Sequence, residues 1–221
     1  MEKETIIPGM EERQLPEFNA MQRVKRRFFA MRNGDLAQQM TERGAKYRIN
    51  FGLNLPQISE IARDFLPGGK ELKEHTVCDD GFTPLPTGFD MGDFSRRLRD
   101  NTSTRESMLI APMLFPVERL TDEEALGWAR SVPTPEVADV LCLKLLRNYP
   151  DAPRLVEILS GDSEPLSRYV ALRLALNLLQ SGKLSPESLL PMVVSEESHK
   201  SQLTASLCRQ LRDEITFLTE E

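Results

Sequence analysis

The sequence predicts an all-helical fold built from antiparallel helix pairs, and three observations predict it. Leucine dominates the second half of the 221-residue chain, and leucine loses little rotamer freedom in a helix. Capping residues stand directly before proline at Thr134-Pro135 and Ser185-Pro186, which is a typical helix start. Apolar residues recur at helical spacing through most of the chain. We therefore expect one repeat domain over residues 15–221, preceded by a flexible N-terminus over 1–14.

The first helices lie between Pro16 and Arg43, where apolar residues follow a helical period. Asn33-Gly34 is expected to interrupt them, because this pair favours a turn. A further helix is expected to start at Asn54, which can cap it, with Pro56 in its first turn. The phenylalanines and methionines of the whole chain are expected to lie in the core.

An irregular loop is expected at about 68–92, because this stretch has five glycines, two prolines and no periodicity. Loops longer than about 15 residues are uncommon in compact domains unless they are functional or mobile. Regular helix pairs are expected after this loop.

The helix pairs repeat at a regular interval. Their second helices are expected to start near Thr104, Thr134, Glu164 and Ser198. An interval of about 30 residues with one helical hairpin each is typical of a HEAT-like, armadillo-type α-solenoid of antiparallel helix pairs. The helix after Thr134 is apolar nearly all round, so we expect neighbouring helices on both of its sides.

Composition excludes several classes of protein. No apolar run reaches about 18 residues, so no membrane span is expected. The three cysteines, Cys78, Cys142 and Cys208, are scattered, which suits a reducing compartment and a cytoplasmic location. The two histidines lack partners at ligand spacing, and we expect no metal and no cofactor.

Charge is unevenly distributed along the chain. The net charge of the chain is −6, yet the segment from Arg13 to Arg48 contains nine lysines and arginines and only three acidic residues. This basic segment is either a solvated helix face or a surface for polyanions.

Three stretches carry a resemblance to a known family: NFGLNLPQISEIARDF, RRLRDNTSTRESMLIAPMLF and EPLSRYVALRLAL. Through these stretches, and through their order and spacing, the chain resembles the bacterial DNA alkylation repair proteins of the AlkC/AlkD type, which are helical-repeat alkylpurine DNA glycosylases. The resemblance covers most of residues 20–215. It implies that the protein binds double-stranded DNA and hydrolyses the N-glycosidic bond of alkylated purines.

The resemblance implies a catalytic carboxylate at Asp139 and a phosphate-proximal arginine at Arg168. Pro135 stands where catalytic members carry a tryptophan one turn before the aspartate, and Leu207 or a neighbour stands where they carry another. The aromatic candidates that remain to hold a cationic base are Trp128, Tyr149 and Tyr169. We therefore expect weak excision or none.

Each candidate has an alternative interpretation. Asp139 can be a structural carboxylate paired with Arg168 or Arg173, and Trp128 can be a core residue. Cations on the second helices can track DNA phosphates or form ion pairs between repeats. The DNA-binding candidates are Arg26, Arg27, Arg105, Lys144, Arg168 and Arg173. The alternative function is a non-catalytic HEAT-like scaffold that binds a protein or peptide partner.

Overall fold

The computed structural model describes residues 16–66, 85 and 87–220. Within these ranges every regular element is a helix, and Ile49 and Thr104 form one isolated parallel bridge. The all-helical prediction is confirmed for this part of the chain. The predicted flexible N-terminus and most of the predicted loop at 68–92 lie outside the described residues.

The chain divides into two compact units, Met1–Leu114 and Phe115–Glu221. In the first unit, α3 and α4 both pack on α5. Its helices are α1 (Pro16–Ala30), α2 (Gly34–Glu42), α3 (Leu55–Arg63), α4 (Met91–Asp100) and α5 (Arg105–Leu114). The single repeat domain over 15–221 stays a prediction.

The second unit is organised around one long helix. Its helices are α6 (Asp122–Arg130), α7 (Pro135–Lys144), α8 (Ala152–Ser160), α9 (Pro165–Gln180), α10 (Pro186–Ser198) and α11 (Ala205–Glu220). Helices α7 and α8 pack on α9, and α10 packs on α11. Helix α9 is buried on most of its sides, as its leucine-rich sequence requires.

Local capping sets several helix starts. The Asn33 side chain accepts a hydrogen bond from the backbone of α2, and Asn54 forms a reciprocal capping box with Gln57 at the start of α3. The Thr121 and Thr134 side chains each accept a hydrogen bond from a backbone amide in the first turn of α6 and α7. These side chains satisfy backbone amides that have no partner within the helix.

The last helix starts later than the sequence pattern predicts. Helix α10 continues to Ser198, and α11 begins only at Ala205, so the second helices start 30, 30 and 40 residues apart. The reason is local: Lys200 has a φ of 51°, which interrupts the helix, and nothing before Ser198 ends α10. The predicted second-helix start near Ser198 is therefore wrong.

In the described part of the chain, two phenylalanines that were predicted to lie in the core are exposed. Phe28 and Phe94 are fully buried as predicted, but Phe29 is 55% exposed and Phe217 is 59% exposed.

The last two residues of the predicted loop at 68–92 are helical, because α4 begins at Met91. No helix in the described ranges is long and apolar enough to cross a membrane.

Candidate functional site

Asp139 lies on α7 and is bound by two side chains of α9. The Tyr169 hydroxyl donates a 3.0 Å hydrogen bond to Asp139 Oδ1, and Arg173 Nε donates a 2.7 Å bond to the same oxygen. Tyr169 and Arg173 are four residues apart, so one face of α9 presents both. The Asp139 side chain is 41% exposed. The carboxylate of this Asp139 cluster (Asp139, Tyr169 and Arg173) is thus fixed in direction and open to solvent.

The electrostatics of the Asp139 cluster follow from burial and proximity. Burial raises the pKa of Tyr169, and the Asp139 carboxylate raises it further. Burial lowers the pKa of Arg173, but the Tyr169 hydroxyl and the Asp139 carboxylate more than offset this, so the pKa is raised. Burial, followed by the field of Asp139, raises the pKa of the Cys142 thiol. Arg173 therefore stays cationic and neutralises part of the Asp139 charge.

Arg168 does not reach the surface. Its Nε donates a 2.7 Å bond to Glu196 Oε2, and Nη1 donates to the carbonyl oxygens of Asp162 and Ser163 at 3.0 and 2.6 Å. Both members of the Arg168–Glu196 pair are buried. Thr204 donates its hydroxyl to the other Glu196 oxygen at 2.7 Å. Arg168 therefore links α9 to α10 instead of facing a phosphate.

Arg105 is also engaged inside its own unit. Its Nη1 donates to the Leu53 carbonyl at 2.9 Å and to Glu106 Oε1 at 3.0 Å, and both charged side chains are buried. Glu106 Oε2 accepts a 3.1 Å bond from the Phe51 amide. This pair anchors the segment before α3 to α5. The role of Glu106 was not predicted, since its amide partners lie more than 50 residues away.

The three aromatic candidates are buried. Trp128 packs edge to face on Phe115 with a centroid distance of 5.4 Å. The Tyr149 hydroxyl hydrogen-bonds Asp122, and burial together with this bond raises the Tyr149 pKa to about 12. Tyr169 is buried and directed to Asp139. None of the three presents an open ring face for a cationic base.

The basic segment leaves several cations at the surface of the first unit. Lys25, Arg26 and Arg32 are exposed. Arg27 donates a 2.5 Å bond to Asp64. The Arg32 guanidinium lies 5.6 Å from the centroid of the exposed Phe29 ring. We call Lys25, Arg26, Phe29 and Arg32 the Phe29 patch. Lys144, at the end of α7 in the second unit, is half-buried.

No group of three or more histidine, cysteine or acidic residues within the described ranges could hold a metal ion. Comparisons of the chain with protein-family models, with curated proteins and with solved structures find no match.

Proposed function

We propose that the protein binds DNA and slowly excises alkylated purines by hydrolysis of the N-glycosidic bond. The observation that carries the proposal is Asp139, a carboxylate that is 41% exposed while Tyr169 and Arg173 fix its direction through Oδ1. A positioned carboxylate at a surface is suited to stabilise positive charge that develops on a sugar.

The chemistry needs little from the protein, because a purine alkylated at a ring nitrogen is cationic and leaves as a neutral base. The bond from C1′ to the base nitrogen breaks with its electrons going to the base, and water adds to C1′ and releases a proton. Asp139 would stabilise the oxocarbenium-like sugar and orient the water. The Arg173 bond lowers the effective charge of Asp139 and so limits this stabilisation.

The burial of the three aromatic candidates, Trp128, Tyr149 and Tyr169, predicts a slow reaction. A cation held against an aromatic ring gains about 0.5–2 kcal/mol. Trp128, Tyr149 and Tyr169 are buried, so this contribution is missing. Each 1.36 kcal/mol corresponds to about a tenfold change in rate. We expect excision at a rate about five- to 900-fold below that of a protein with two such aromatic contacts.

DNA affinity would come from the first unit. Between Arg23 and Arg48 the chain has eight lysines and arginines and two acidic residues. Each DNA phosphate that these cations neutralise lowers the slope of log K against log salt by about 0.9. The buried positions of Arg105 and Arg168 leave the surface of α1 as the main source of phosphate contacts.

The proposal includes a HEAT-like, armadillo-type arrangement of the helix pairs. Its support is the 30-residue interval between the starts of α5, α7 and α9. The burial of α9 by helices on several sides also favours stacked pairs.

A non-catalytic scaffold for a protein partner is the second candidate, and surface composition favours it. Helices α10 and α11 expose Leu190, Val194, Phe217 and Leu218. Residues 115–221 contain seventeen acidic residues and eleven lysines and arginines, which disfavours DNA on this unit. Exposed apolar side chains of this kind are found at protein interfaces.

Binding of duplex DNA measured against salt concentration tests the proposal. We expect a linear decrease of log K with log salt. Lys25→Gln/Arg26→Gln should weaken binding and reduce the slope by about 0.9 for each lost phosphate contact. Arg154→Gln, an exposed arginine of the second unit, is the matched control and should change neither. Undetectable binding at low salt would refute DNA binding and favour the scaffold.

A further inference from the structure

The Phe29 patch places an exposed aromatic ring among cations on one helix face. Residues 25 and 26 lie four and three positions before residue 29, and residue 32 lies three positions after it, so all three lie near the Phe29 side of α1 and the turn after it. The ring of Phe29 is 55% exposed. An exposed ring costs free energy in water unless a partner covers it.

The exposed ring is held in place from behind. Phe51 contacts Phe29 edge to face with a centroid distance of 5.0 Å. The Phe51 amide donates to the buried Glu106, and the Phe51 carbonyl accepts a 2.8 Å bond from the Asn33 amide. Phe51 is therefore tied to α5 on one side and to the α1–α2 turn on the other. The ring is preorganised, which lowers the entropy lost on binding.

Tight backbone packing keeps the same turn fixed. Gly52 has a φ of +70°, and a Cβ at this position would lie 2.0 Å from the Asn33 carbonyl oxygen. Only glycine allows the chain to approach the turn between α1 and α2 so closely. The positions of Phe29 and Arg32 thus depend on the packing of the Phe51–Gly52 segment against the turn between α1 and α2.

The charges around the patch favour an anionic partner. Asp64 faces α1 from the end of α3, but it is bound to Arg27. Asp35 lies exposed in the first turn of α2. The patch itself contributes three basic residues, Lys25, Arg26 and Arg32. The segment between positions 23 and 48 has eight basic and two acidic residues. The Phe29 patch is therefore positively charged around the apolar ring of Phe29.

We propose that the Phe29 patch binds single-stranded DNA, with one unpaired base stacked on Phe29 and neighbouring phosphates bound by Lys25, Arg26 and Arg32. A positive surface that carries a stacking aromatic is the usual device of proteins that bind single strands. A stacking base would displace Arg32 from the ring toward the adjoining phosphate. This inference rests on the proposed DNA binding and adds a preference for unpaired bases, which a paired duplex cannot offer to the ring.

Fluorescence anisotropy with labelled oligothymidine of about 15 nucleotides and a duplex of equal length tests the inference. Phe29→Leu keeps an apolar side chain but removes the π-face. We expect it to weaken single-strand binding by about tenfold, within the range for loss of one stacked base, and to leave duplex binding unchanged. Phe29→Tyr should retain single-strand binding. Phe217→Leu, which alters an equally exposed ring on α11, is the control and should have no effect.

The outcomes separate this inference from the proposed function. If the protein binds both DNA forms and Phe29→Leu changes neither affinity, the stacking site is wrong and DNA binding stands. If the protein binds neither form, both proposals fail. If vesicles containing anionic lipid bind in a Phe29-dependent manner and oligothymidine does not, the patch is a membrane surface and the inference is overturned. Circular dichroism of each variant checks that the helices are intact.

Discussion

The buried ion pair between Arg168 and Glu196 allows a sharp test of whether Arg168 is structural or binds DNA. Replacing Arg168 by methionine keeps an apolar stem of similar length and removes the charge. Glu196 would then be a buried carboxylate without its arginine, although Thr204 still donates to one of its oxygens and His199 Nδ1 lies 3.6 Å from the other. The carbonyl oxygens of Asp162 and Ser163 would also lose their donor.

The expected destabilisation follows from the burial of the pair. The exposed fractions of the two side chains are 8% for Arg168 and 4% for Glu196. Removal of one partner from such a pair typically costs about 3–5 kcal/mol, because the remaining charge is left uncompensated. Arg168→Met/Glu196→Leu removes both charges and should recover part of this loss, because no uncompensated buried charge remains, although the carbonyl oxygens of Asp162 and Ser163 still lack their donor.

Urea unfolding followed by Trp128 fluorescence measures these changes. Trp128 is the sole tryptophan and lies buried in the same unit, so its emission reports on the unit that contains the pair. Arg168→Met should lower the unfolding midpoint, and DNA affinity should be unchanged where the variant is folded. Wild-type stability together with a weaker DNA affinity would refute the structural role and return Arg168 to the phosphate contacts.

Three further predictions follow from particular contacts. Gly52→Ala should destabilise the first unit by more than about 2 kcal/mol, because a positive φ costs about 1–2 kcal/mol and the new Cβ would meet Asn33; urea unfolding followed by far-UV circular dichroism measures this, and a wild-type midpoint would contradict it. Cys142 should resist alkylation at pH 8 until urea unfolds the protein, since burial raises its pKa; rapid labelling of its peptide in the native state, seen by mass spectrometry, would contradict the packing. The hydrogen bonds from Arg130 lower the pKa of Asp162, so its stabilisation should be present above about pH 4 and lost as the pH falls through the lowered value. Asp162→Asn should therefore be less stable than the wild type at pH 7, with a difference that shrinks toward pH 3; a difference independent of pH would argue against the ion pair.

Helix starts could be predicted from the sequence because capping is local. Asn54 and Gln57 are three residues apart, so their reciprocal bonds need no information from the rest of the chain. Thr134 before Pro135 likewise sets the start of α7. The start of α11 was missed because it depends on the left-handed backbone at Lys200, which the amino-acid type does not indicate.

The exposure of Phe29 could have been found from spacing. Ala20, Val24 and Phe28 follow one another at four-residue intervals and are buried. Adjacent helical residues are about 100° apart, so Phe29 cannot share the core face with Phe28. The pair of Asp139 with Arg173 is one of the two pairings that the sequence suggested. The partner of Arg168 could not be predicted, because Glu196 lies 28 residues away on another helix. The rotation of packed helices decides such pairs.

Release of free base from duplex DNA that carries cationic alkylated purines tests the central claim most directly. With protein in excess and product measured by chromatography, we expect slow release that Asp139→Asn abolishes. The amide keeps the shape of Asp139 but cannot stabilise positive charge on the sugar. Tyr169→Phe, which removes one bond to Asp139 Oδ1, should retain part of the activity. Release that is unaffected by Asp139→Asn, or no release under conditions in which the DNA is bound, would contradict the assignment of Asp139.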